Sequence, residues 1–494
     1  MRTAKDHRLA ALLLGGALLL STLLAGCDSP SLPEWLRRDL RPPRETGELV
    51  ILTVRGATTL QRNPGGYKPR QDEDGSGYEH DLAALFAREL GVKAEFKVLA
   101  NHAKLLDAMQ AGRGHIAAAQ LAQTDFLRGR FAFGPTYKSV QYQLIHRKSE
   151  PRPKNLADLG TRKVAVITGT PAHDILTNLQ VTHSGLTIEA IPEQPEEELL
   201  RMVESKRVDF ALFDALGFSV NRRLHPELAA AFNVGPELKV AWAFTKAADE
   251  DLKQSARLFF DKMRANGTLA RLQDRYFGHT SRIQAPDSEA LLERIQTVLP
   301  KLRPFFHEAE EITGIEWRLL AAIGYQESHW DANATSPTGV RGLMMLTEDT
   351  ADRMKVKNRL DPRDSIIGGA KYLALLRDTV PLRIPEPDRT WLALAAYNQG
   401  YGHLEDARIL TQRKGLNADT WLDVRKVYPL LREPQYYEAL KFGFCRGDEA
   451  VHFVESVRNY YDIISRLEPA YVPELRFMSP EEAASKPRQR TLTN

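Results

Sequence analysis

Cysteine is nearly absent: there are two, Cys27 and Cys445, in 494 residues. Two thiols cannot build a disulfide scaffold, nor can they supply a Cys-rich zinc site. A charge excess is missing too, with 67 Lys and Arg against 64 Asp and Glu and a formal net charge of +3. Nothing in that balance calls for a nucleic-acid partner. Membrane-length apolar runs are also lacking. Residues 9–24 are uncharged, but these 16 residues fall short of the ~20 that span a bilayer as a helix. What remains is 43% hydrophobic and 27% charged, an ordinary globular composition that excludes a disordered or collagen-like chain. At about 100–200 residues per domain, the length fits two to four domains.

The N-terminus has the form of an export signal. Arg2, Lys5 and Arg8 precede the apolar stretch, which closes on Leu24-Ala25-Gly26-Cys27. This closing segment resembles a bacterial lipobox, in which cleavage leaves an acylated Cys as the new first residue. The resemblance implies a signal peptide over 1–26 and lipidation at Cys27. Cys445 would then be the one free thiol. Acyl chains contribute ~0.8 kcal/mol per buried methylene, ample for anchoring. Residues 27–46, with Pro30, Pro33, Pro42 and Pro43 among charges, are expected to form a tether. The expected location is the envelope, facing the periplasm, on the outer membrane; Asp28 keeps the inner membrane open as an alternative.

Residues 47–278 alternate β-rich runs with helical stretches, the pattern of an α/β module. Along it stand Gly77-Tyr78-Glu79-His80-Asp81-Leu82, Phe133-Gly134-Pro135-Thr136-Tyr137, Asp158-Leu159, Val208-Asp209 through Asp214, Asn266-Gly267-Thr268 and Tyr276-Phe277-Gly278. In order and spacing these segments resemble the family-3 periplasmic solute-binding proteins. The resemblance implies two lobes, about 47–146 plus 245–278 and 147–244, with a small ligand such as an amino acid or muropeptide between them. Gly169-Thr170-Pro171 would turn a helix start toward a ligand carboxylate. Arg128 would clamp the same carboxylate and Asp214 would receive an ammonium. Arg128 lies one residue further from Thr124 than the family places its Arg, and Arg130 is its rival.

After a linker expected at 279–287, residues 288–478 read as all-helical, with a polar tail over 479–494. Helical runs are expected at 290–313, 317–329, 343–354, 366–379, 390–398 and 450–467. Ile315, Leu319, Ile323 and Glu327 stand four apart, placing a carboxyl at the end of an apolar stripe. Apolar surroundings raise a carboxyl's pKa, as a general acid near neutral pH requires.

Three further segments follow: Glu327-Ser328-His329-Trp330, Gly342-Leu343-Met344-Met345, and Ala395-Ala396-Tyr397-Asn398. Together they resemble the family-1 lytic transglycosylases, which have a lysozyme-like fold. The preceding binding-type module resembles a membrane-bound branch of that family. Met345 stands where most of the family has Gln, and Phe453 where a Tyr is usual. The resemblance implies exolytic cleavage of the β-1,4 bond between N-acetylmuramic acid and N-acetylglucosamine in peptidoglycan, without water, leaving 1,6-anhydro ends. It makes Glu327 the catalytic group, with Ser336, Met344, Tyr397 and Asn398 at the substrate and neither cofactor nor metal. For Met344 a plain core position is the equal alternative. A non-enzymatic envelope protein docking on peptidoglycan is the competing reading; the intact Glu327-Ser328 and Ala396-Tyr397-Asn398 favour the enzyme.

Overall fold

The computed structural model describes residues 40–62, 75–192, 194–279, 285–336 and 339–473. The expected signal peptide, Cys27, most of the tether, part of the linker and the 479–494 tail lie outside the described residues.

Two five-stranded sheets build the first module. In one, Glu48–Val54 runs parallel to Lys93–Leu99 and to Ile116–Ala117, and Ala243–Phe244 and Ala132–Phe133 complete it. All of Glu48–Val54 beyond Glu48 is buried, as expected of a parallel strand covered on both faces. The other sheet runs Leu228–Val240, Lys138–Arg147, Phe210–Asp214, Lys163–Ile167, Thr187–Ile191.

The lobes divide earlier than the expected 146/147 and 244/245 boundaries. Lys138–Arg147 pairs along its length with Leu228–Val240 and also with Phe210–Asp214, so it belongs to the second lobe. The chain therefore crosses between Phe133 and Lys138 and returns between Val240 and Ala243. Glu79, fully buried, ties both crossovers by accepting from the Tyr137 hydroxyl and, at 3.0 Å, from Trp242 Nε1. A carboxyl in that position is tolerable only with such partners. Asp81, on the same Tyr78–Leu90 helix, accepts from the Tyr276 hydroxyl at 2.5 Å and pairs with Arg275 at 3.0 Å. The segment from Gly77 to Leu82 thus fastens the scaffold.

From Ala285 the described chain is helical. Helix Trp317–Ser328 is buried continuously from Trp317 to Tyr325 and packs against Gly447–Leu467, Leu299–Thr313 and Pro362–Thr379. A helix covered all round belongs to a domain interior. Its one charge in that stretch, Arg318, pairs with Glu316 and donates to the Glu468 carbonyl at 2.8 Å. Ile315 precedes this helix, so the four-residue stripe is helical from Leu319 onward. The single run expected at 290–313 is two helices, Ala285–Thr297 and Leu299–Thr313, interrupted where Pro300 withdraws a backbone donor. The run expected at 343–354 shortens to Glu348–Met354, because Gly342 and Met345 hold φ of 84° and 45°. Periodicity marks neither Tyr401–Arg413 nor Trp421–Val427.

The modules meet through a buried polar junction on helix Gly447–Leu467. Arg223 of the second lobe donates to Asn459 Oδ1 at 2.6 Å and pairs with Asp462. Arg466 donates to Asn221 Oδ1 at 3.3 Å. Asn459 donates to the His279 carbonyl, and Arg458 to that of Asp274, each at 2.6 Å. Glu455, 0% exposed, accepts from Trp421 Nε1 at 2.7 Å and from Arg425 and Arg458 at 3.0 Å.

Candidate active site

Glu327 stands in the last turn of helix Trp317–Ser328. His329 and Trp330, at φ 52° and 61°, stop the helix there. The Trp330 indole N–H donates to the Ala321 carbonyl at 2.8 Å, folding the chain back under the helix end. Desolvation raises the Glu327 carboxyl to about 8, and no neighbouring charge contributes to the rise. Asp331 and Asp349, two acids that follow it in sequence, are exposed.

The surrounding segments lock onto one another. Ser328 Oγ donates to the Leu343 carbonyl at 2.8 Å, tying the helix end to the Gly342-Leu343-Met344 turn. Gly342 is required in that turn: a Cβ there would lie 1.7 Å from the Arg359 carbonyl oxygen. The Met344 N–H donates to Ser365 Oγ at 3.0 Å, and the Met344 carbonyl accepts from the Tyr397 hydroxyl at 3.0 Å. Tyr397 is half-buried, and Phe453 lies nearly parallel to it, centroids 6.2 Å apart and planes at 10°. Glu327 lies near enough to Tyr397 for its charge to oppose ionisation of the phenol, after burial the next contribution.

Beside them opens a hollow of about 460 Å³, lined by Gln326, Asn398, Asp448, Glu449, His452 and Phe453. Asn398 is exposed at its edge. Ser336 is half-buried in the following loop, where its Oγ accepts from the Val340 N–H at 3.2 Å. Met344 is not at the surface. It is 0% exposed, and a Cβ on Gly369 would come within 2.8 Å of its side chain. Its contribution is the backbone carbonyl that fixes Tyr397, because the side chain fills the core beneath the cleft. Gln326 is an addition at the cleft: its position one residue before Glu327 was legible, but which side faced the hollow was not. Among the described residues no group of three or more His, Cys, Asp or Glu could hold a metal ion.

Between the two lobes of the first module lies a second cavity. Asp214 lines it and accepts from the Gly217 N–H at 2.7 Å. Arg128 does not: it is exposed on helix Asp125–Arg130 and donates to Gln123 at 3.4 Å. Arg130 pairs with Gln110 instead. Thr170 is buried behind the wall, its hydroxyl spent on the Ile167 carbonyl at 2.7 Å, and Pro171 lines the cavity in its place. Asn101, His102, Glu196 and Glu197 also line it. No motif marks these four, and the Glu196-Glu197-Glu198 run reads only as an acidic helix start.

Two family profiles match the chain. The bacterial extracellular solute-binding proteins, family 3, match residues 54–279, and the Transglycosylase SLT domain matches residues 304–419. A Nitrosospira multiformis protein named membrane-bound lytic murein transglycosylase F is 44% identical over 449 residues, 91% of each chain. Proteins of the same name from Methylobacillus flagellatus and Thiobacillus denitrificans are 41% and 39% identical. They cover 92% and 95% of this chain, and 94% and 97% of their own.

Proposed function

The chain belongs to the family of membrane-bound lytic murein transglycosylase F, and we propose that it cleaves peptidoglycan strands with Glu327 as its single acid–base group. It is a peptidoglycan lytic transglycosylase, a lyase. The observation that carries the mechanism is a carboxyl raised to about 8 by desolvation alone. Such a group holds its proton at neutral pH and can deliver it.

Glu327 gives its proton to the oxygen linking N-acetylmuramic acid to N-acetylglucosamine, and the bond from C1 to that oxygen breaks. The muramic acid 6-hydroxyl then adds to C1 and returns its proton to the Glu327 carboxylate. A 1,6-anhydro ring results and no water is consumed. A retaining hydrolase needs a second carboxyl ~5–5.5 Å away as nucleophile. Here the substrate's own hydroxyl serves. Asn398 contacts sugar from the hollow, Ser336 positions the N-acetyl group, and Tyr397 walls the cleft. In water enriched in heavy oxygen, the muramic acid ends released from sacculi should be anhydro and unlabelled by mass spectrometry. Labelled reducing ends would identify a hydrolase. Sacculus binding without released ends would favour the non-enzymatic docking reading.

The word membrane-bound in the relatives' names fits acylation at Cys27. On this reading the enzyme faces the periplasm from the outer membrane. Cys27→Ser should move the protein from the membrane pellet to the soluble envelope fraction; continued pelleting with unchanged mass would rule the anchor out.

The first module takes a small ligand between its lobes and modulates cleavage. Asn221 supports this: it lines the interlobe cavity and receives Arg466 from the helix that carries Phe453.

A further inference from the structure

Three carboxyl residues converge on the interlobe cavity without a matching set of cations. Glu196, Glu197 and Asp214 all line it. Glu197 Oε1 reaches across the lobes to accept from the Ala57 N–H at 3.1 Å, and Glu196 lies 3.6 Å from His102 Nδ1. The positive groups nearby are committed or peripheral. Lys138 is held by Gln120 and lies 5.1 Å from the Tyr78 ring, and its charge is shared between Glu79, the larger contribution, and Asp214. Burial lowers the His102 imidazole, which leaves it neutral at neutral pH. Arg55 is exposed at the rim. The carboxyls also oppose one another. Desolvation, then Asp214 and Glu197, push Glu196 up to about 8.

A second, independent feature lines the same space. Asn101 is 5% exposed, and its Oδ1 caps helix His102–Gln110 through the Lys104 N–H at 2.9 Å. Its Nδ2 has no hydrogen-bond partner among the described residues. A buried amide donor left unpaired is costly, and its position at the cavity wall provides for an acceptor from outside the chain.

We propose that this cavity receives the primary ammonium of a cationic ligand between Glu196, Glu197 and Asp214, with Asn101 Nδ2 donating to a ligand oxygen beside it. This rests on the reading of the first module as a ligand-binding unit and specifies the ligand's charge. As closed, the cavity measures about 50 Å³, room for an ammonium group but not for an amino acid. A whole ligand enters as the lobes part about the two crossovers, and Ala57 N–H then loses Glu197. A ligand carrying a net negative charge meets three carboxyls and no guanidinium clamp, since Arg128 and Arg130 face elsewhere.

The test is calorimetry of the full chain with four probes: L-lysine, cadaverine, L-glutamate and L-leucine. L-lysine and cadaverine should bind, with L-glutamate and L-leucine at least about 10-fold weaker. Glu196→Gln should weaken L-lysine by a similar factor while leaving thermal unfolding intact, since it removes a destabilised carboxyl. Asn101→Ala should weaken L-lysine, which carries an oxygen acceptor, and spare cadaverine, which carries none. L-glutamate or L-leucine binding as tightly as L-lysine would overturn the cationic assignment while leaving the ligand-binding reading in place. Unchanged L-lysine affinity in a folded Glu196→Gln protein would overturn the assignment as well. Absence of heat with all four probes would overturn the assignment and count against the module as a small-amine or amino-acid receptor.

Discussion

Glu327→Gln should lower the rate of anhydro-end release by at least about 10²–10⁴-fold, because one side chain serves as acid in the first step and base in the second. The amide keeps the shape of the residue and cannot exchange the proton. Wild-type kcat/KM should fall as pH rises past about 8, where free Glu327 loses the proton it must deliver. Stability carries the opposite demand. Between the ordinary carboxyl value and about 8, the folded protein binds more protons at this site than the unfolded chain, so stability declines as pH rises through that window. Glu327→Gln removes that decline, and its unfolding temperature at pH 8 should equal or exceed that of wild type. Residual cleavage within about 10-fold of wild type would move the acid role to another residue.

Glu455→Ala should be among the most damaging substitutions to stability. Desolvation works against the charge of Glu455, but Arg458 and Arg425 overcome it and hold the carboxyl below its usual range. Removing it leaves the buried Trp421 N–H without its acceptor and takes from Arg425 and Arg458 one of two carboxylates, Asp274 being the other, a loss of up to ~3–5 kcal/mol by analogy with broken buried ion pairs. Denaturant unfolding of the full chain reads this directly. A loss under ~1 kcal/mol would show that water replaces the carboxylate freely. Since Glu455 touches none of the reacting groups, the fraction that remains folded should still cleave glycan. That outcome separates its role from that of Phe453, two residues earlier and at the hollow.

Much of the catalytic half is legible in the order and spacing of its motifs, through the family resemblance they carry. An apolar stripe ending in one carboxyl, then Ser328, the Gly342–Met344 turn and Tyr397-Asn398, is local information. Helical periodicity reports which face a residue shares, and a glycine at φ 84° reports a turn that no other residue makes comfortably. The alternation of strands and helices likewise indicates an α/β module ahead of a helical one, and its two lobes follow from the resemblance its segments carry. Tertiary structure decided what faces what. Leu343 and Met344 fall within the same motif, yet whether Met344 meets sugar or core depends on Gly369 in a helix about 25 residues away. Arg128 carries the charge expected of a carboxylate clamp, but a turn of helix directs it to solvent. Glu196, Glu197 and Asn101 come together only because two chain crossings bring separate lobes face to face. The junction at Glu455 joins positions some 180 residues apart, including Asp274 and His279. Burial of a charge is a property of packing between elements, and periodicity within one element holds no record of its partner.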